Sequence, residues 1–424
     1  MPQRAVAQEA LVRNVEQVIQ SLKDESVSVR VDAAYELTQI SIEVPRDSDG
    51  LPISISRFIK WPEAELAVPA LIEALKDTSH EVRGFAARAL SRYGDHASSA
   101  EPALVQVLKD DEYAWVREEA AYAIGHLGSC LWEKHEATKE AVQALTEALQ
   151  DHWRELGAGV ANALGRCRHP GAVPVLAKVL EEALKDLMKG ETKTLSYDAT
   201  LISMEIAKAL GHIGPKAQSA VSVLLDVLKH PIAYELIREA VVALGRIGGG
   251  VEAQSSVPVL TYYLYSSKVR VEAAYALGGL GPGAKSAVPQ LVKLSREALI
   301  RFENDDEEFG WAAIYALGCI EPTVLLEILE DENGRIRTWA AQRLGTMGPQ
   351  AKFAVPALTK ALNDRWSWVR AEAANALGQI GPEARAAIPA LEDALKDTNA
   401  DVRAEVSEAL RAINRPPVPD FRSR

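Results

Sequence analysis

Between Val355 and Leu410 one phrase is written twice at a spacing of 33 residues: Val355-Pro356 returns as Ile388-Pro389, Asp364 as Asp397, and Val369-Arg370 as Val402-Arg403. A fixed period of this length is the signature of a stacked repeat protein. Each copy predicts two helices. The first opens on Pro356, acceptable at a helix start because proline's missing N–H is not needed there, and it puts Leu358, Ala361 and Leu362 on one face. After a polar turn the second runs through Val369, Ala373, Ala374, Ala376 and Leu377. It is expected to stop at Gly378 or soon after, with Gly381-Pro382 marking the exit. A single hairpin of this kind cannot cover its own apolar face, so it must stack on copies of itself.

In such an array length counts repeats rather than globular domains. Hydrophobic content of 48% with only 6% aromatic residues suits an Ala/Leu/Val core of packed helices and not a sheet. A formal net charge of -12 argues against a dedicated nucleic-acid binder, which needs a cationic surface. Cys130, Cys167 and Cys319 have no paired spacing and are expected to be reduced thiols. The first residues carry charges throughout, and no later stretch has 18 consecutive apolar residues. The expectation is therefore a cytoplasmic protein with no membrane partner.

Aligning second helices on their Val-Arg starts and Leu-Gly ends gives eleven units, starting at Val29, Val82, Val116, Leu156, Ile202, Leu236, Val269, Phe309, Ile336, Val369 and Val402. The recurring wording, as in VREEAAYAIGHLG, VRVEAAYALGGLG, IRTWAAQRLGTMG and VRAEAANALGQIG, resembles HEAT repeats of the short bacterial kind also found in phycobilin lyases. The resemblance implies an all-α fold, a right-handed α-solenoid of about eleven HEAT-like helical hairpins. It is expected to run as one solenoid over residues 1–414, with an apolar insertion at 43–65 packed as an N-terminal cap and a disordered tail at 415–424. Further irregularities are expected as loops at SCLWEKHEATKE (129–140), GETKTLSYD (190–198) and ENDDEE (303–308).

An Asp six residues before an Arg recurs as Asp24/Arg30, Asp77/Arg83, Asp331/Arg337, Asp364/Arg370 and Asp397/Arg403, with Asp110/Arg117 one residue longer. Spread along the array, these pairs read as a ladder tying the turns of neighbouring hairpins. Units five to eight largely lack it, with Ser203 and Gly310 at the Arg position of units five and eight.

Two comparisons within the HEAT fold bear on chemistry. Deoxyhypusine hydroxylase carries di-iron ligands as His-Glu pairs at the heads of second helices. The corresponding places here hold no histidine, because His80-Glu81 precedes Val82 and His135-Glu136 lies in an insertion, so no metal is expected. Phycobilin lyases carry second helices dense in Tyr and Trp. The match here is scattered over Tyr275, Trp311, Tyr315 and Trp339. No nucleotide, zinc-protease or hydrolase motif is present, and neither a catalytic residue nor a cofactor is expected.

One column does carry a bias. The residue just after each Leu-Gly end reads Arg92, His126, Arg166, His212 and Arg246 in units two to six, and four residues earlier stand Arg88, Tyr122, Asn162 and Lys208 in units two to five. On one helical face these make a stripe two residues wide. Lining a concave surface, it suits an acidic peptide or the negative face of another protein. Internal pairing by Glu119, Glu205 and Glu239 is the competing expectation. The functional expectation is a protein- or peptide-binding scaffold using these nine residues. A phycobilin lyase or chromophore-handling protein is the alternative.

Overall fold

The structure, a computed structural model, describes residues 15–39, 62–129, 138–189, 193–230, 233–298 and 304–415. Among them every regular element is a helix or a 3-10 turn, and the chain is an all-α solenoid. Residues 43–61 of the expected cap, Cys130, His135-Glu136 and the tail from 416 lie outside the described residues.

Two compact units are present, Met1–Ala243 and Leu244–Arg424. In the first, the second helices are α1 (Val27–Gln39), α2 (His80–Tyr93), α3 (Ala114–Ser129), α4 (Lys139–Cys167) and α5 (Lys193–Ile213). Helix α4 is a whole hairpin run together across a break at His152 (φ -131°). The boundary falls within α6 (Tyr234–Ile247). The second unit holds α7 (Arg270–Gly279), α8 (Asn304–Ile320), α9 (Gly334–Thr346), α10 (Ser367–Ile380) and α11 (Ala400–Ile413). Inside each unit, consecutive second helices pack on one another and the first helices form the other layer.

The repeat phrase accounts for this stacking. Every starting apolar residue from Val82 to Val402 is buried, while Val29 is 37% exposed. Each fully buried Leu or Val of this kind stabilises the stack by about 2 kcal/mol relative to exposure. The glycine of Leu-Gly is not a stop signal. Helix α10 runs through Gly378, and a Cβ there would lie 2.9 Å from the Ala409 Cα on α11. In the first unit a Cβ on Gly125 would lie 2.6 Å from Ala163 Cα, and one on Gly165 would lie 2.7 Å from Ala209 Cα. This glycine lets neighbouring second helices touch backbone to backbone. The stop is the next glycine, Gly381, whose φ of 72° favours a residue without Cβ and opens the 3-10 turn Gly381–Ala387.

The Asp-Arg ladder is present, and its rungs run between hairpins, each Arg side chain reaching the Asp of the following one. Arg30 pairs with Asp77 (2.6 Å), Arg83 with Asp111 (2.5 Å), Arg337 with Asp364 (2.7 Å) and Arg370 with Asp397 (2.6 Å). The same arginines donate to the carbonyl of the Asp six residues back, as Arg337 does to Asp331 at 2.6 Å. Each Asp also accepts the backbone N–H two residues on, such as Trp366 N–H on Asp364 at 2.9 Å. The residue in register for Arg117 is therefore Asp111, not Asp110: Arg117 donates to the Asp111 carbonyl at 2.8 Å, restoring the spacing of six. Aromatic contacts are also made at the Arg position of units seven and eight. Arg270 sits 5.2 Å from the Phe309 ring, and the Trp339 ring covers buried Gly310.

Two expected loops are helical. Helix α5 already starts at Lys193, and α8 starts at Asn304, so most of ENDDEE forms its first turn. Carboxylates at a helix N-terminus are favoured by its exposed N–H groups, so an acidic run is a start signal as well as a loop signal.

Candidate functional site

The predicted stripe divides between the two units. Arg88, Arg92, Tyr122, His126, Asn162, Arg166, Lys208 and His212 stand on α2 to α5 in the first unit, and Arg246 lies, exposed, in the second. In the first unit the Gly125–Ala163 and Gly165–Ala209 contacts fall one residue before His126 and Arg166. They bring α3, α4 and α5 to their closest approach at the level of this column.

Its earlier row is internally paired, as the competing expectation held. Arg88 forms a bidentate pair with Glu119 on the next helix, with one bond at 3.0 Å. Glu205 accepts from Lys208 at 2.7 Å and from Asn162 at 3.2 Å. Glu239 is buried and paired with Arg238 at 3.0 Å. The later row is not neutralised in this way. Arg166 donates from Nε to the Asn162 side-chain oxygen at 2.9 Å, a neutral partner. Arg92 is exposed, and neither arginine has a carboxylate within ion-pair distance among the described residues.

Between these arginines lies a small aromatic assembly. The Tyr122 and His126 rings lie 4.3 Å apart, tilted against each other, and the Arg166 guanidinium is 6.0 Å from the Tyr122 ring. Burial, then Arg166, then Arg92 push the His126 imidazole down to about 4. His126 is thus neutral at physiological pH, in the positive potential of the two arginines. Further along the same layer, Tyr35 meets Phe85 edge to face at 5.3 Å, and Phe85 meets Trp115 at 6.1 Å. Sequence reasoning missed this aromatic border because its members sit at different positions of successive phrases. His80 belongs to it, stacked on Tyr113 at 4.1 Å.

In the second unit, three of the residues behind the chromophore alternative meet other side chains. Tyr275 and Tyr315 contact edge to face at 5.5 Å, and the Arg343 guanidinium covers Tyr315 at 4.4 Å. Arg343 also donates to the Cys319 sulfur at 3.3 Å, and Trp339 is spent on Gly310. The Tyr315 ring is thus covered by protein, while Tyr275 is 39% exposed. Cys319 is half-buried, and Cys167 has its thiol pushed up to about 12 by burial and then by Glu101.

Comparison with known proteins places this geometry in a family. The family described as HEAT repeats matches residues 15–125, 101–196 and 322–411. The chain belongs to the HEAT-repeat family. The PBS lyase HEAT-like repeat matches residues 269–297, a single hairpin of this HEAT-repeat protein. No curated protein matches. Among solved structures, an engineered protein determined by the Northeast Structural Genomics Consortium aligns with 95% of this chain and 99% of its own, at 22% identity and a TM-score of 0.46. Within the described residues no helix is long and apolar enough to cross a membrane.

Proposed function

We propose that this HEAT-repeat protein is a binding scaffold that holds an acidic segment of another protein on the second-helix face of its first unit. The observation that carries the reading is the contrast between two adjacent rows. Arg88 and Lys208 are neutralised by Glu119 and Glu205, whereas Arg92 and Arg166 are not. Leaving cations without counter-ions opposes folding slightly and favours association with an anionic surface. Tyr122 and the Tyr35–Phe85–Trp115 border add apolar contact area beside the charge, the composition that dominates protein interfaces.

The chromophore reading is weaker on the same grounds. A bilin would need open aromatic faces, and Arg343 caps Tyr315.

The test is charge reversal, comparing wild type with Arg92→Glu/Arg166→Glu in pull-downs from native extract, with cross-linking mass spectrometry to map the contacts. Proteins retained by the wild type should cross-link to α2–α4 and be lost from the variant, whose thermal melt should be unchanged. A folded variant that retains the same proteins, or cross-links that avoid this face, overturns the proposal.

A further inference from the structure

The ladder has its donor in one hairpin and its acceptor in the next, so the first and last described hairpins each hold half a rung. Arg370 shows the complete form. Its Nη1 donates to the Asp364 carbonyl at 2.9 Å, and its Nε and Nη2 fork grips the Asp397 carboxylate at 2.6 and 2.7 Å. Arg403 is anchored in the same way, Nη1 donating to the Asp397 and Thr398 carbonyls at 2.6 and 3.1 Å, and its fork meets no carboxylate among the described residues. Asp24 is the other half. Its carboxylate accepts the Ser26 N–H at 2.8 Å, as Asp397 accepts that of Asn399, and no guanidinium pairs with it among the described residues. We propose that this protein self-associates head to tail, the last hairpin of one copy docking on the first hairpin of a second copy through an Arg403–Asp24 rung. The four complete rungs show what such a fork holds: a carboxylate gripped by two parallel bonds.

A second pair of positions agrees in sign. Inside the array the glycine of Leu-Gly meets an alanine of the following second helix, as Gly125 meets Ala163, Gly165 meets Ala209 and Gly378 meets Ala409. The glycine's place in α11 holds Arg411, and the alanine's place in α1 holds Glu36, both exposed. In the same register across a junction these two face each other with opposite charge. A terminal hairpin needs only polar residues there to stay soluble, and two residues of one sign would serve as well. Long side chains in place of Gly and Ala hold the helices further apart than inside the array, so the junction turns on ion pairs rather than backbone contact.

Apolar residues at the two ends fit the same docking. Leu395 is 40% exposed, although its counterpart one repeat earlier, Leu362, is 3% exposed with a hairpin packed after it. Val402, with a hairpin before it, is fully buried, whereas Val29 is open. One contact opposes association. Arg88 and Asn162 meet Glu119 and Glu205 inside the array, and the matching places at a junction hold Glu408 and Asp32. Glu408 is already paired with Arg411 at 3.3 Å, which reduces this repulsion without removing it. The junction is therefore weak and salt-sensitive.

Sedimentation velocity of the full chain, over a wide range of concentration at low and high salt, provides the test. At low salt the weight-average mass of wild type should rise with concentration to about twice that of the monomer or more, and high salt should reverse the rise. Asp24→Arg and Arg403→Asp should each stay monomeric, because each brings like charges to the rung. Arg403→Gln, milder for the fold, should also lose association. Mixing Asp24→Arg with Arg403→Asp should restore it, since the intact Arg403 of one meets the intact Asp24 of the other. Contact between two identical ends would instead leave one of these variants unaffected. A wild type that stays monomeric at every concentration, a variant at either residue that associates like wild type, or a folded pair that fails to rescue one another overturns the proposal.

Discussion

Removing Arg337 tests whether the ladder fastens the second unit. Arg337 is 7% exposed, and its guanidinium makes four bonds: two to the Asp364 carboxylate at 2.7 and 2.8 Å, and two to the Asp331 and Glu332 carbonyls at 2.6 and 3.1 Å. Arg337→Met keeps most of the apolar volume and leaves a carboxylate and two carbonyls without their donor. Breaking a buried pair costs about 3–5 kcal/mol, and Asp364 retains the Trp366 N–H, so the loss should fall near the lower end, about 3 kcal/mol. Arg296, paired with Asp331 at 2.7 Å but 50% exposed at its side chain, provides the contrast. Arg296→Met should cost under about 1 kcal/mol, because exposed pairs are screened and entropically expensive. Adding Asp364→Asn to Arg337→Met removes the orphaned charge while keeping the oxygen that accepts Trp366 N–H, and should recover about 1–2 kcal/mol. Urea unfolding followed by circular dichroism reads these values, and hydrogen exchange shows whether the opening begins at α9 and α10. Equal costs at Arg337 and Arg296, or no recovery in the double variant, would refute the ladder as the fastening.

The remaining predictions concern charge, packing and motion. Because the His126 pKa is lowered to about 4 from an ordinary 6.5, the unfolded chain binds the proton first. The native state therefore loses stability as pH falls from about 6.5 to 4, by about 1–2 kcal/mol after allowing for partial exposure; His126→Gln should remove that part of the acid slope in denaturation curves. Asp364 feels burial raising its pKa, yet Arg337 and the Trp366 N–H prevail and lower it. Its contribution is present above the usual Asp range and is lost only as pH falls through the lower folded value, so the gap between the melts of Arg337→Met and wild type should persist at about pH 5 and narrow only below the ordinary Asp range. Gly310→Arg, which writes the repeat phrase back into unit eight, should destabilise by more than about 2 kcal/mol, since even a Cβ there would meet the Trp339 ring at 2.7 Å; a variant as stable as wild type would dispose of this packing argument. Amide exchange should be faster in α5 to α8 than in α9 to α11, where the bidentate Arg337–Asp364 and Arg370–Asp397 rungs lie.

The hairpin count and the identity of the second helices are legible in the sequence because the information is local and repeated. An apolar start, in most units a following Arg, and a Leu, usually with Gly, near the end recur from one hairpin to the next. The loops are misread for the same reason in reverse. Polar runs such as ENDDEE are compatible with a turn or with a helix start, and only the packing of α8 decides. Asp110 and Asp111 are adjacent and alike in type, and the difference between them lies in which carboxylate reaches Arg83 on the preceding hairpin.

The stripe shows where this limit matters for function. Its residues can be named from their column, since a helical period fixes which side chains share a face. Whether each is available to a partner depends on the neighbouring helix, a full repeat away in sequence: 31 residues separate Arg88 from the Glu119 that neutralises it. Arg88 and Arg92 are one helical turn apart on α2, and nothing in their local wording separates them. Across the gap to α3, Arg88 meets Glu119, while Arg92 has no carboxylate within ion-pair distance among the described residues and adds to the positive potential at His126. A HEAT array thus turns small differences in a nearly uniform phrase into a surface whose charge is cancelled in one row and expressed in the next. In the function proposed above, the expressed row is where a partner gains by supplying an anion.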